Sequence, residues 1–134
     1  MENRYTTGKE IEDLAKEAEA IGNSGAVFSD VYDEHGNQYV DLVQEGGGVL
    51  GIALVGYTYL LEKAGIRFYR LAGTSAGSIN PLLMAGVGKP GAETADRIIE
   101  IMGDKDVIDF VEVRAGLKKM IQKKIERGSI FWNM

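Results

Sequence analysis

A serine enclosed by glycines, Ser75 in the run Gly73-Thr74-Ser75-Ala76-Gly77, is the side chain of this sequence with the clearest chemical use. The pattern GxSxG is typical of the sharp turn from a strand into a helix that exposes a nucleophilic serine. Small residues are needed at Gly73 and Gly77 because the strand end and the helix start approach too closely for a Cβ. Ser75 is therefore predicted to attack acyl carbonyl carbons.

A second glycine motif, GxGxxG at Gly46, Gly48 and Gly51, supplies what such an attack needs. Attack on an ester carbonyl creates an oxyanion, and N–H donors must already point to the place where that charge appears. The backbone N–H groups of Gly47 and Gly48 are predicted as donors, and that of Ala76, next to the serine, adds a third. The structural alternative is that these glycines only permit a tight connection between a strand and a helix.

GxGxxG after a strand is also typical of dinucleotide binding, so a nucleotide-binding βαβ domain is an alternative. That function requires an acid about 20 residues further on, at the end of the next strand, to hold a ribose hydroxyl. The chain has Tyr69 and Arg70 there. Arginine suits a 2′-phosphate, but a dinucleotide site has no need of the serine turn that follows.

The elements that must position both motifs form a βαβ unit. Strands are predicted over residues 38–43 and 66–72, with an apolar helix over 50–63 between them. Two strands joined in this way are parallel, so the glycine loop and the serine turn lie at the same, carboxyl edge of the sheet. Open α/β sheets place their active sites at that edge.

The remaining elements are predicted to flank this unit. An amphipathic helix over residues 8–21 precedes a hairpin, whose strands are 26–32 and 38–43 and whose turn contains His35, the only histidine. A turn histidine beside two acids is given no role. Further helices are predicted over 75–85, 92–102 and 114–127, residues 106–113 are ambiguous between helix and strand, and no convincing strand follows Ala72.

Composition restricts the function classes. With 134 residues, 45% of them hydrophobic, the chain can form one globular domain, and its net charge of −5 argues against a nucleic-acid partner. The absence of cysteine excludes disulfides, thiol catalysis and thiolate metal sites. No metal or organic cofactor is implied. The N-terminus lacks a signal peptide and the apolar run 49–61 is too short to span a bilayer, so a cytoplasmic location is expected.

Residues 40–56, 61–66 and 73–80, which carry both glycine motifs, resemble bacterial members of the patatin-like phospholipase family. The resemblance implies a three-layer α/β/α fold, here incomplete, and cleavage of lipid acyl esters. It implies that Gly46–Gly51 is the oxyanion loop and that Ser75 is the serine of a Ser-Asp dyad. A dyad without histidine suits this chain.

Two departures from the family matter. Leu50 stands where the family usually has Arg or Lys, so weaker or differently tuned activity is expected. The family aspartate lies in an Asp-Gly-Gly or Asp-Gly-Ala motif on a later strand, and this sequence has no Asp-Gly pair. The downstream acids Asp104, Asp106 and Asp109 have no context that aims them at the serine.

The missing aspartate leads to the expectation that residues 38–134 are the N-terminal part of a catalytic domain, preceded by an extension over 1–37. Such a chain is expected to be inactive alone and to associate through an unpaired sheet edge. The alternative is a non-catalytic lipid- or acyl-binding or assembly module that keeps the scaffold. The basic helix 114–127 is a candidate for peripheral membrane contact, although a solvated helix face, packed by its apolar side, is the favoured explanation of its charges.

Overall fold

The computed structural model describes residues 3–47 and 51–104. In chain order the elements are α1 (Lys9–Asn23), β1 (Gln38–Gln44), α2 (Gly51–Lys63), β2 (Ile66–Gly73), a 3-10 turn (Ser75–Ser78), α3 (Ile79–Val87) and α4 (Ala95–Gly103). The fold is α/β, with a two-stranded sheet and flanking helices. The predicted segments 106–113 and 114–127, and with them the membrane contact, lie outside the described residues, and the division at residue 37 stays a prediction.

The predicted βαβ unit is confirmed. Strands β1 and β2 are parallel, with Gln38 opposite Ile66 and Gln44 opposite Gly73, and the register shifts once, between Val40 and Asp41. Helix α2 makes the crossover between them. Because the strands run in parallel, the loops that follow β1 and β2 leave the sheet at the same edge.

Helix α2 is the centre of packing in the described part of the chain. It contacts α1, α4 and β2, and its Val55 is fully buried. This burial explains why the helix is apolar on most of its surface rather than along one stripe. None of the described helices combines the length and the apolar character that crossing a bilayer requires.

The apolar stripe of α1 is only partly covered. Ala15 and Ala18 are buried against the body of the fold, whereas Leu14 and Ile21 are 44% and 51% exposed. These two side chains border an open, mainly apolar groove of about 710 Å³ between α1, α2 and β1. The groove is compatible with the expected self-association, which stays a prediction.

The hairpin expected over residues 26–43 is wrong in its first strand. Residues 26–32 form a single antiparallel bridge, between Tyr32 and Gln38, instead of a ladder. The side chain of Gln38 makes the hydrogen bonds that a neighbouring strand would have made. Its Oε1 accepts from the N–H groups of Phe28 and Ser29 at 2.5 and 3.0 Å, and its Nε2 donates to the carbonyl of Ala26 at 2.7 Å. One glutamine thus satisfies backbone groups that strand pairing would otherwise have satisfied.

The turn predicted between these segments is confirmed, and it is built on Asp33. Asp33 Oδ1 accepts from the backbone N–H groups of His35 and Asn37, both at 2.9 Å. The hydrogen bond from the Asn37 side chain lowers the pKa of the Asp33 carboxyl. His35 is exposed in this turn, before β1, at the opposite end of the sheet from Ser75.

Helix α4 begins three residues later than predicted because a buried carboxylate caps it from another helix. Glu62, near the end of α2, is 2% exposed. Its oxygens accept from the Thr94 N–H at 3.0 and 3.1 Å, from the Thr94 hydroxyl at 3.1 Å and from the Ala95 N–H at 2.9 Å. The Glu62 oxygens thus supply the acceptors that the first backbone N–H groups of a helix lack.

This capping carboxylate makes stability depend on pH. Burial raises the pKa of the Glu62 carboxyl, against the opposing hydrogen bonds from Thr94 and Ala95. Between the ordinary and the raised pKa, the folded chain holds more protons than the unfolded chain, so the free energy of unfolding decreases as pH rises through that window. The contribution of Glu62 to the free energy of unfolding is thus fully present below the ordinary pKa of a glutamate carboxyl.

Glu62→Gln isolates the effect because glutamine does not titrate. At neutral pH we expect it to lower the free energy of unfolding by about 1–3 kcal/mol, since its NH₂ group faces the donors of Thr94 and Ala95. Urea unfolding at several pH values measures the difference between wild type and variant. That difference should grow as pH is lowered from neutral towards the ordinary glutamate pKa; a constant or shrinking difference would contradict the expectation.

Candidate active site

Ser75 lies in a strained backbone conformation at the sheet edge. Its φ of 52° is the only positive φ of a non-glycine residue in the described part of the chain. A non-glycine residue in this region costs about 1–3 kcal/mol, and such strain is concentrated at functional sites. The preceding Thr74 is extended, Ser75 opens the 3-10 turn, and α3 continues from it. The serine is exposed, as a nucleophile on a strand-to-helix turn must be.

The two glycines that flank the serine are required for space. A Cβ on Gly73 would lie 2.2 Å from the carbonyl oxygen of Gly77. A Cβ on Gly77 would lie 2.6 Å from the carbonyl oxygens of Gln44 and Glu45, where β1 ends. Neither glycine has a positive φ. The turn therefore packs tightly against the end of β2, which it follows, and against the end of β1.

The glycine loop after β1 meets the serine at Gly46. A Cβ on Gly46 would lie 2.4 Å from Ser75 Cβ and 2.9 Å from Ser75 Oγ. Gly51, the third glycine of the motif, opens α2 and has Ala76 Cβ 3.5 Å from the position of its own missing Cβ. Gly47 is exposed, while Gly48 and Leu50 lie outside the described residues.

None of the described acids acts as a base for Ser75 in the structure. Among residues 3–47 and 51–104, no carboxylate or imidazole is hydrogen-bonded to Ser75 Oγ. Asp104 follows α4 and forms an ion pair with Arg4 at 2.5 Å. Asp106 and Asp109 lie outside the described residues. Within the described part of the chain, the serine and the first glycine of the loop thus lie together without an acid.

The residues that bear on the dinucleotide alternative are on the surface of β2. Arg70 lies 3.6 Å from the carboxylate of Asp41 on the neighbouring strand, and its guanidinium is 5.6 Å from the ring centre of Tyr69. Tyr69 is 69% exposed. Arg70 is therefore already paired with an acid across the sheet.

A buried polar cluster below the site was missed by the sequence analysis. The side chains of Gln44, Thr58 and Asn80 are nearly inaccessible to solvent. Asn80 Nδ2 donates to Gln44 Oε1 at 3.1 Å and to Thr58 Oγ1 at 3.2 Å. The only signal in the sequence is an asparagine inside the otherwise apolar helix α3.

Comparison with known proteins places these features in a family. A family model described as patatin-like phospholipase matches residues 42–133, a range that includes both glycine motifs. The uncharacterized protein YqhO of Bacillus subtilis (strain 168) is 38% identical over 96 residues, which are 72% of this chain and 31% of YqhO. The chain thus spans less than a third of the length of this curated relative. No solved structure matches the chain.

Proposed function

Because this chain belongs to the patatin-like phospholipase family, we propose that it carries the nucleophile and the oxyanion loop of a lipid acyl ester hydrolase. The observation that carries the proposal is the contact between Gly46 and the strained, exposed Ser75 at the end of two parallel strands. The substrate class is a lipid or another acyl ester.

In the proposed reaction, Ser75 Oγ bonds to the ester carbonyl carbon and the carbonyl oxygen becomes an oxyanion. The N–H groups of Gly47, Gly48 and Ala76 stabilise that charge, at about 3 kcal/mol of barrier for each donor. Collapse of the tetrahedral intermediate breaks the bond to the leaving alcohol, which takes up the proton lost by Oγ. Water then hydrolyses the acyl-serine and releases the carboxylic acid.

The proton transfer needs a base, which the family resemblance assigns to an aspartate. We propose that Asp104 is not that base, because it pairs with Arg4 at the end of α4. A serine without its base keeps only the catalysis that the oxyanion hole and substrate binding supply. We therefore expect this chain by itself to react slowly at Ser75 and to turn over poorly.

A fluorophosphonate probe tests the nucleophile directly, because it bonds covalently to a nucleophilic serine and needs no turnover, so that even a serine that reacts slowly without its base is detected. We expect one adduct on the folded chain, located at Ser75 by peptide mass spectrometry. Ser75→Ala should lose it. Ser24→Ala, at the exposed end of α1, is the matched control and should keep it.

Absence of an adduct from a sample that circular dichroism shows to be folded would contradict the proposal. It would instead favour the non-catalytic lipid- or acyl-binding or assembly module. An adduct on a serine other than Ser75 would likewise remove the assignment of the nucleophile.

A further inference from the structure

The buried cluster below the site joins the three elements that carry it. Gln44 is the last residue of β1 and lies two residues before Gly46. Thr58 belongs to α2, which Gly51 opens, and Asn80 belongs to α3, five residues after Ser75. Gln44 Nε2 also donates to the Leu54 carbonyl of α2 at 3.3 Å, and the Gln44 carbonyl accepts the Thr74 N–H at 3.0 Å.

Burying three polar side chains costs more free energy than burying apolar side chains of similar shape would. The three residues are 4%, 0% and 1% exposed, and Asn80 Oδ1 is buried with no hydrogen-bond partner among residues 3–47 and 51–104. A buried acceptor without a partner loses its hydration without compensation, and apolar side chains of similar shape would avoid that loss. We therefore expect the cluster to have a role besides stabilising the fold.

The geometry of the hydrogen bond between Gln44 and Asn80 indicates what this role is. A hydrogen bond between two planar amides restricts both distance and orientation. Here it links the residue that ends β1 to the helix that continues from the serine turn. Displacements of about 1 Å in a catalytic arrangement can cost a factor of about 100 in rate.

Resting on the proposed function, we propose that Gln44 and Asn80 are positioning residues that hold the first part of the glycine loop against Ser75. Thr58 anchors the pair by accepting the second proton of the Asn80 amide. None of the three touches the substrate. They act through the loop that follows Gln44 and the turn that precedes Asn80.

Substitutions of similar volume test the proposal. Asn80→Leu and Gln44→Met remove the amide pair, and we expect each to slow fluorophosphonate labelling of Ser75 by about 10- to 100-fold. The double variant should slow labelling by much less than the product of the two single effects, because both single variants remove the same bond between Gln44 and Asn80. Thr58→Val keeps the branched shape and should reduce the labelling rate by a smaller factor. It is the variant to measure if Asn80→Leu and Gln44→Met prevent folding.

Glu62→Gln is the matched control because it also alters a buried polar group attached to α2, but one that faces α4. It should lower stability and leave the labelling rate within about two-fold. A merely structural role for Asn80 would remove this difference: the labelling rate would follow stability, and Glu62→Gln would slow labelling as much as an equally destabilising Asn80→Leu.

Amide hydrogen exchange supplies a readout that does not depend on reactivity. In Asn80→Leu we expect the N–H groups of Thr74 and Gly77, which donate to the carbonyls of Gln44 and Thr74, to exchange at least about 10-fold faster than in Glu62→Gln, with α1 unchanged. Absence of labelling in wild type would defeat the proposed function, and exchange would then decide the positioning role alone. Unchanged labelling and unchanged exchange of the Thr74 and Gly77 N–H groups in the amide variants would overturn the inference.

Discussion

Gly77→Ala is expected to lower the free energy of unfolding by about 3 kcal/mol, the upper part of the range for an overpacked site. The added Cβ would lie 2.6 Å from backbone atoms of Gln44 and Glu45, and backbone at the end of a paired strand cannot move aside cheaply. Gly73→Ala should be similar, with a Cβ 2.2 Å from the carbonyl oxygen of Gly77. Urea unfolding followed by circular dichroism measures both.

Gly56→Ala is the matched control for these two substitutions. Gly56 lies inside α2, and an added Cβ there would have no neighbour within 4 Å. Because alanine favours helix by up to about 1 kcal/mol over glycine, we expect this variant to be as stable as wild type or more stable. Equal stability of all three variants would show that the serine turn is not packed against β1 in the way described.

Gly46→Ala is expected to reduce fluorophosphonate labelling of Ser75 by about 100-fold or more. Its Cβ would lie 2.4 Å from Ser75 Cβ and 2.9 Å from Oγ, so either the loop or the serine must move. Movement of the serine changes its attack direction, and movement of the loop displaces the proposed oxyanion donors. Labelling rates measured at matched fractions of folded protein report this change.

Gly51→Ala tests whether the two outer glycines of the motif, Gly46 and Gly51, have different roles. A Cβ on Gly51 would lie 3.5 Å from Ala76 Cβ, which is ordinary van der Waals contact. We expect labelling within about three-fold of wild type, since nothing near the serine has to shift. Equal losses from Gly46→Ala and Gly51→Ala would contradict the assignment of a special steric role to Gly46 beside Ser75.

Much of the central unit follows from local sequence. The bounds of β1, α2 and β2 agree with those predicted to within one residue, because periodicity and the glycines at the element ends are local signals. The presence of both glycine motifs at one sheet edge follows from the topology of a βαβ unit. The order of the elements was thus sufficient to bring the loop and the serine turn together.

What the sequence could not determine depends on partners distant along the chain. Gln38 replaces a strand by reaching residues 26–29, Glu62 caps a helix that begins at Ala95, and Asn80 bonds to Gln44 on β1. In each case one polar side chain satisfies groups at least nine residues away. No local pattern marks such a contact, since its geometry exists only after the elements have packed.

The glycines show the same division most clearly. The amino-acid sequence by itself determined that Gly46, Gly51, Gly73 and Gly77 frame a serine turn and its loop, and it placed the chain in its family. The sequence also predicted that Gly73 and Gly77 have no room for a Cβ, but only the tertiary structure separated the two outer glycines of the loop: a Cβ would clash at Gly46 and has room at Gly51. The physical reason is that steric exclusion depends on what packs nearby, which a sequence motif does not contain.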